Sequence, residues 1–332
     1  MSDIPVVKKK ARKNLVITQA SSDSQHCNWI DNHLHERSFD LIILSQEKDI
    51  AFSENCQDEL ISFSAETNAD YLSWFRENPW IFDVYSYIAI LNERVIASQQ
   101  LIDRLFAYVE ALGVSIAQPA LMEKSPYREV ITRCHGSFLH RWTNWVEFLA
   151  PVFKASYLRN CTSSSRLSSL LTGNEFIWSS SCHNIPGDIA IIDAIPIEWC
   201  GDPIDWHPKS LCHINDHISY FRARLMSAQT GTSRSVDNIC GLTKDGRFLH
   251  LGEEAFLRLI AKDIQNQGLS FHPIKDLRGD WISTRMVYNT YLDQLHENIR
   301  AMQENAASDH LNNSLSIAAM QAGMLYETLS RI

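Results

Sequence analysis

The chain has 332 residues, 45% hydrophobic and 21% charged, which fits two folded domains, or one large domain with an appendage. That balance excludes disorder of the whole chain, and 12 glycines exclude a collagen-like repeat. Thirty Lys and Arg against 39 Asp and Glu give a net charge of −9, the wrong sign for gripping a nucleic-acid backbone or an anionic membrane, so no nucleic-acid partner is expected.

In chain order, residues 1–13 read as a flexible basic tail, with a Lys-rich cluster and no apolar signal-type run. NLVIT (14–18) reads as a strand entering a loop rich in Ser and Asp, and CNWIDNHL as a short helix. FDLIILS (39–45) is a continuous apolar run, as expected of a strand covered on both faces. LISFS (60–64) is a shorter strand, and 70–80 is helical by the spacing of Tyr71, Trp74 and Phe75. YSYIAIL (85–91) is another buried strand. Ser98 caps a helix that runs to Leu112 and ends at Gly113. SIAQPAL reads as a strand ended near Pro119, and RWTNWVEFLA (141–150) as partly strand-like, broken by Pro151. A short helix over 154–160 and a closing strand, IAIIDAI (189–195), complete residues 14–205. Alternation of this kind predicts an α/β fold with a mostly parallel sheet. Residues 206–332 read as a mainly helical C-terminal module with a hairpin near 237–251, signalled by Asp245-Gly246. No stretch approaches the ~18 apolar residues of a membrane span, so no transmembrane segment is expected. The eight cysteines show no C-x-x-C pair, as expected of reduced, mostly buried thiols in a cytoplasmic protein.

The chain contains no P-loop, G-x-G-x-x-G, H-E-x-x-H or G-x-S-x-G, which removes the nucleotide hydrolases, dehydrogenases, zinc proteases and α/β-hydrolases that carry them. Four segments, YSYIAILNER, SIAQPAL, RWTNWVEFLAPVF and IAIIDAIP, in this order and spacing, resemble a family of glycosyltransferase-like proteins catalogued as domain of unknown function family 707. The resemblance covers roughly residues 14–200. It implies a GT-A-like (nucleotide-diphospho-sugar transferase-like) fold and sugar transfer from a nucleotide sugar to a glycan or other hydroxyl acceptor. It also implies an acidic triplet after a strand, holding Mn²⁺ or Mg²⁺ against the donor diphosphate.

At that place the chain reads Asn92-Glu93-Arg94. Three readings stand: Arg94 pairs directly with phosphate in place of the metal, the domain has lost turnover and recognises a nucleotide, glycan or protein, or a metal is held through other residues. The resemblance puts Asn92, Glu93, Arg94 and Asp23 at the donor, and makes Glu175 the base that deprotonates the acceptor hydroxyl. Asp193, inside an apolar strand, is either a catalytic carboxylate or an acid satisfied by backbone N–H groups. Trp142, Asn144, Trp145 and Glu147 are the acceptor-binding candidates, a tryptophan stacking on the sugar and the polar pair bonding its hydroxyls. No metal ligand is assigned; the His213/His217 pair reads as helix-surface histidines. The C-terminal helices offer a surface for a protein partner or self-association.

Overall fold

The computed structural model describes residues 11–19, 24–31, 36–45, 59–62, 71–125, 127, 130–163, 188–201, 238–250, 253–266, 274–275 and 281–282. Its elements in chain order are β1 (Asn14–Gln19), β2 (Phe39–Ser45), β3 (Glu59–Ser62), α1 (Tyr71–Glu77), α2 (Ile81–Val84), β4 (Tyr87–Ile90), β5 (Val95–Ile96) and α3 (Gln99–Leu112). There follow β6 (Ile116–Leu121), β7 (Phe138–Thr143), β8 (Val152–Lys154), α4 (Ala155–Ser163), β9 (Ile189–Trp199), β10 (Asn238–Thr243), β11 (Phe248–His250) and α5 (Glu254–Asn266). Two short strands, β12 (Ile274–Lys275) and β13 (Trp281–Ile282), pair with each other.

Among the described residues one eleven-stranded sheet organises the chain, in the order β11-β10-β7-β9-β6-β8-β4-β1-β2-β3, with β5 paired to β9. The strands β1, β2, β3 and β4 run parallel, as do β6 and β9, but β8 lies antiparallel between β4 and β6. Beyond β9 the neighbours β7, β10 and β11 alternate in direction. The sheet is therefore mixed, a correction to the mostly parallel expectation. A continuous apolar run reports burial of both strand faces, not strand direction. The hairpin near 237–251 is β10 and β11, which extend this same sheet from β7. The strand expected to close the sheet, β9, instead lies between β6 and β7.

Alternation along each central strand sends neighbours to opposite faces. On β1, Val16 joins a cluster with Phe106, Val109, Phe256 and Ile260, under α3 and α5. Its neighbours Leu15 and Ile17 join Phe75, Phe82 and Leu158, under α1, α2 and α4. Ser98 caps α3 by accepting the Leu101 N–H at 3.3 Å, and Gly113 ends the helix in the left-handed region at φ 72°. The strand β6 continues through Pro119 to Leu121, past its expected end. Its pairing to β8 stops at Ala117, and a register shift against β9 follows Pro119. A missing N–H is tolerated at such a place.

Candidate functional site

Strand order reverses around β1, which has β2 on one side and β4 on the other. In open α/β sheets the crevice outside the carboxyl ends at such a reversal is where ligands bind. The turn Asn92-Glu93-Arg94 leaves the carboxyl end of β4 at this reversal, all three residues half-buried.

The turn is bracketed on several sides. Asn92 Oδ1 accepts from Trp199 Nε1 at 2.9 Å and from the Arg94 N–H at 3.0 Å. The Asn92 N–H donates to Leu149 O at 2.9 Å, and Gln25 N–H to Glu93 O at 2.7 Å. The buried Trp29 indole donates to Val95 O at 2.9 Å, and Cys200 N–H to Arg94 O at 3.1 Å. Beside β1, the Tyr71 hydroxyl accepts the Gln19 N–H at 2.7 Å. Burial, with the charge of Glu93 adding to it, pushes the Tyr71 phenol upward, so it stays protonated. His26, held by Ser24 Oγ at 2.6 Å from its Nδ1, is pushed down to about 4 by burial and is a neutral ring.

The described residues do not fit a divalent cation at this turn. Glu93 is its only carboxylate, Asn92 Oδ1 is already used twice, and Arg94 adds a positive charge. Among the described residues no group of three His, Cys, Asp or Glu side chains is arranged to hold a metal.

Asp193 is elsewhere, with its side chain wholly buried. Its Oδ2 accepts from Arg141 Nε at 2.8 Å, and its Oδ1 from Arg141 Nη2 at 3.0 Å and the His135 N–H at 2.7 Å. Arg141 spends its other donors on Ile131 O and Arg133 O, both at 2.8 Å. Burial raises the Asp193 carboxyl against the pull of Arg141. The sequence left Asp193 open between catalysis and backbone N–H bonding; the geometry gives it one backbone N–H and, chiefly, a guanidinium.

The four acceptor candidates do not form an open platform. Trp142 packs between His140 and Phe248, with ring centroids 4.3 and 5.6 Å away, and keeps 5% of its surface exposed. Trp145 and Glu147 are buried too, and Asn144 is half-buried. Glu147 accepts from Thr132 Oγ1 at 3.3 Å, and its N–H donates to Gln118 Oε1 at 2.6 Å. Stacking of a sugar on Trp142 would require displacing Phe248. Burial of these side chains follows from the strand and turn around them, where large rings face the core. Asp23, Glu175 and the His213/His217 pair lie outside the described residues.

Sequence reasoning missed a cavity of about 590 Å³ at the carboxyl ends of β6 and β9, walled by Glu123, Lys124, Gly136, Glu198 and Asp263 among others. The signal available was the charged pair Glu123-Lys124, one residue past SIAQPAL, and Glu198 near the end of the β9 run.

No protein-family model matches the sequence, and no curated protein matches it. Among solved structures, residues 1–349 of TarS from S. aureus align at 8% identity with a TM-score of 0.41, covering 87% of this chain and 71% of that one. The same protein in complex with UDP-GlcNAc aligns at 9% and 0.38, covering 93% and 79%. A197 from STIV aligns at 11% and 0.32, covering 72% and 93%.

Proposed function

We propose that the chain is a GT-A-like glycosyltransferase that binds a nucleotide sugar at the carboxyl-edge crevice between β1 and β4 and transfers its sugar to a hydroxyl acceptor. One observation carries the reading. The turn that leaves β4 at the strand-order reversal is clasped by residues 24–29 and by the end of β9, and presents Glu93 and Arg94 half-exposed there. A nucleoside diphosphate is a planar base with a compact anion. Such a crevice suits the base, and an Arg at its mouth suits the anion, because the guanidinium makes two parallel bonds to phosphate oxygens.

In this reading Arg94 neutralises the diphosphate, Asn92 fixes the turn that carries Arg94, and Asp23 contacts the nucleoside. The acceptor oxygen attacks the anomeric carbon, and its proton goes to the Glu175 carboxylate. The bond from the anomeric carbon to the diphosphate oxygen breaks, and its electron pair leaves with the nucleoside diphosphate, stabilised by Arg94. Within the turn itself Glu93 is the one carboxylate, and the neutralising charge at the diphosphate is that of Arg94. Asp193 acts behind the site by holding Arg141, and the buried Glu147 by holding Thr132.

A second reading has its own observation: Asn92 and Arg94 stand where the resembling family has carboxylates. In that reading the crevice binds a nucleotide without turnover, and the chain is a recognition module. Calorimetric titration with UDP, GDP and UDP-N-acetylglucosamine, with Mn²⁺ and with chelator, tests the common premise, and release of free sugar separates the two readings. Transfer predicts binding indifferent to chelator, sugar release, and loss of release in Glu175→Gln. Binding without release selects the module. No binding of any nucleoside diphosphate refutes both.

A further inference from the structure

The cavity at the carboxyl ends of β6 and β9 has an acidic lining, whereas in the turn after β4 the charges of Glu93 and Arg94 cancel. Three carboxylates, those of Glu123, Glu198 and Asp263, face it against the single ammonium of Lys124. Its volume of about 590 Å³ is within the range of about 300–1,000 Å³ typical of small-ligand sites. Its walls are built rather than loose. Asp263 is fixed by the Ser137 N–H at 2.9 Å and Ser137 Oγ at 2.7 Å. The loop carrying Glu123 is tied back by Arg133 Nη2 to Glu123 O at 3.2 Å, and by Met122 N–H to Ile197 O at 2.8 Å.

A second observation points the same way. His135, between the wall residues Cys134 and Gly136, has a fully buried ring, and neither ring nitrogen has a hydrogen-bond partner among the described residues. Its Nδ1 faces Asp263 Oδ2 across 3.9 Å, too far for a hydrogen bond. His135 is not itself part of the lining, so what it leaves open beside the wall residue Asp263 is capacity for a water brought to the wall, not a direct ligand contact. The Cys134 thiol in that wall is pushed up to about 11, chiefly by burial, so it is a neutral wall group and no nucleophile.

We infer that this cavity is the acceptor site, and that it takes a saccharide or other polyol carrying no negative charge, an amino sugar included. The inference rests on the transferase reading for the word acceptor. Carboxylates accept from hydroxyl and ammonium groups and repel anions, so the same lining that holds a polyol turns away the donor's diphosphate. Adjacent residues of β9 join the two places: Trp199 is bonded to Asn92 on the donor turn, and Glu198, beside it, lines the cavity.

Gly136 supplies the test. A Cβ there meets nothing within 4 Å, and its backbone is not in the left-handed region, so a side chain can leave the backbone at this lining position, and Gly136→Trp is the variant that occupies the cavity. The probes are methyl glucoside, glucosamine and glucuronate, followed by saturation-transfer NMR on the full chain at millimolar sugar, with UDP titrated separately. The expected result is saturation of the glucoside and glucosamine but not of glucuronate, and loss of both signals in Gly136→Trp with UDP affinity unchanged. The milder Glu198→Gln is expected to weaken glucosamine at least tenfold, and serves if the Trp variant does not fold. Equal binding of glucuronate, no sugar binding, or sugar binding undiminished in both variants overturns the inference. If sugars bind as expected and UDP does not, the transferase reading fails while the polyol site stands.

Discussion

Removing the Asp193 charge is the sharpest probe of how β7 and β9 are locked together. Arg141 and Asp193 have no exposed side-chain surface and share two hydrogen bonds, of 2.8 and 3.0 Å. In Asp193→Asn the guanidinium stays buried with no counter-charge, and one carboxamide N–H₂ is turned against a donor. Breaking a buried pair from one side costs about 3–5 kcal/mol, a large share of the ~5–15 kcal/mol that holds a typical domain together. With a urea slope of about 3 kcal/mol/M, the unfolding midpoint falls by about 1–2 M. Tryptophan fluorescence reports it, because Trp142 sits next to Arg141 on β7 and is buried. The double variant Arg141→Met with Asp193→Leu removes both charges and keeps comparable volume. It also takes away the bonds that Arg141 and Asp193 make to the Ile131 and Arg133 carbonyls and the His135 N–H, each a buried group left short at about 1–3 kcal/mol, so its loss is expected to be no smaller than that of the single variant, unlike that of an isolated pair. A single variant within about 1 kcal/mol of the parent would refute the structural account. Loss of sugar release at an unchanged midpoint would make the carboxylate part of the chemistry instead.

Three further outcomes are expected. Arg94→Ala weakens UDP about tenfold to a hundredfold in calorimetry, the worth of one or two charge-assisted bonds to phosphate, with the unfolding midpoint unmoved. Trp199→Phe removes the indole bond to Asn92 at a cost of about 0.5–1.5 kcal/mol, and lowers UDP affinity although the indole contacts no ligand, because the turn loses its bracket. His140 is wholly buried, bonded through Nδ1 to the Tyr108 hydroxyl at 2.8 Å, and pushed by burial from its usual 6.5 down to about 3. The unfolded chain therefore binds the extra proton between pH 6.5 and 3. Stability from this group is complete above 6.5 and is lost as pH falls, by at most about 1.4 kcal/mol per pH unit. Urea midpoints measured from pH 7 to 4 are expected to fall, and to fall less steeply in His140→Asn.

What was legible in the sequence was whatever one segment decides by itself. The run of β2, LIIL at 41–44, is buried because both faces of its strand are covered, and such a run says so locally. Helix α3 was bounded by its own Ser98 cap and its own Gly113. The antiparallel direction of β8 and the central place of β9 were not legible, because they depend on which strands meet. The partner of Asp193 was hidden for the same reason: Arg141 is 52 positions away, and only the β7–β9 pairing brings the two together. The aromatic stretch around Trp142 suggested a sugar platform by composition alone. Its rings face the core, since a strand inside a sheet covered on both sides has no free face to offer.

The bracketing of the β4 turn bears on the choice between the two proposed readings of Asn92 and Arg94. A carboxylate at position 92 would accept the same two bonds, from Trp199 Nε1 and the Arg94 N–H. It would also place a second negative charge beside Glu93, and without a cation those charges repel each other and any diphosphate. Asn keeps both acceptor bonds and drops the charge. Arg at 94 then supplies, in a single side chain whose main chain that turn holds, a positive charge in place of a cation's. The two residues work in one direction: each is unfavourable for metal binding, and together they keep the bonds of the turn and carry the positive charge that the proposed diphosphate requires.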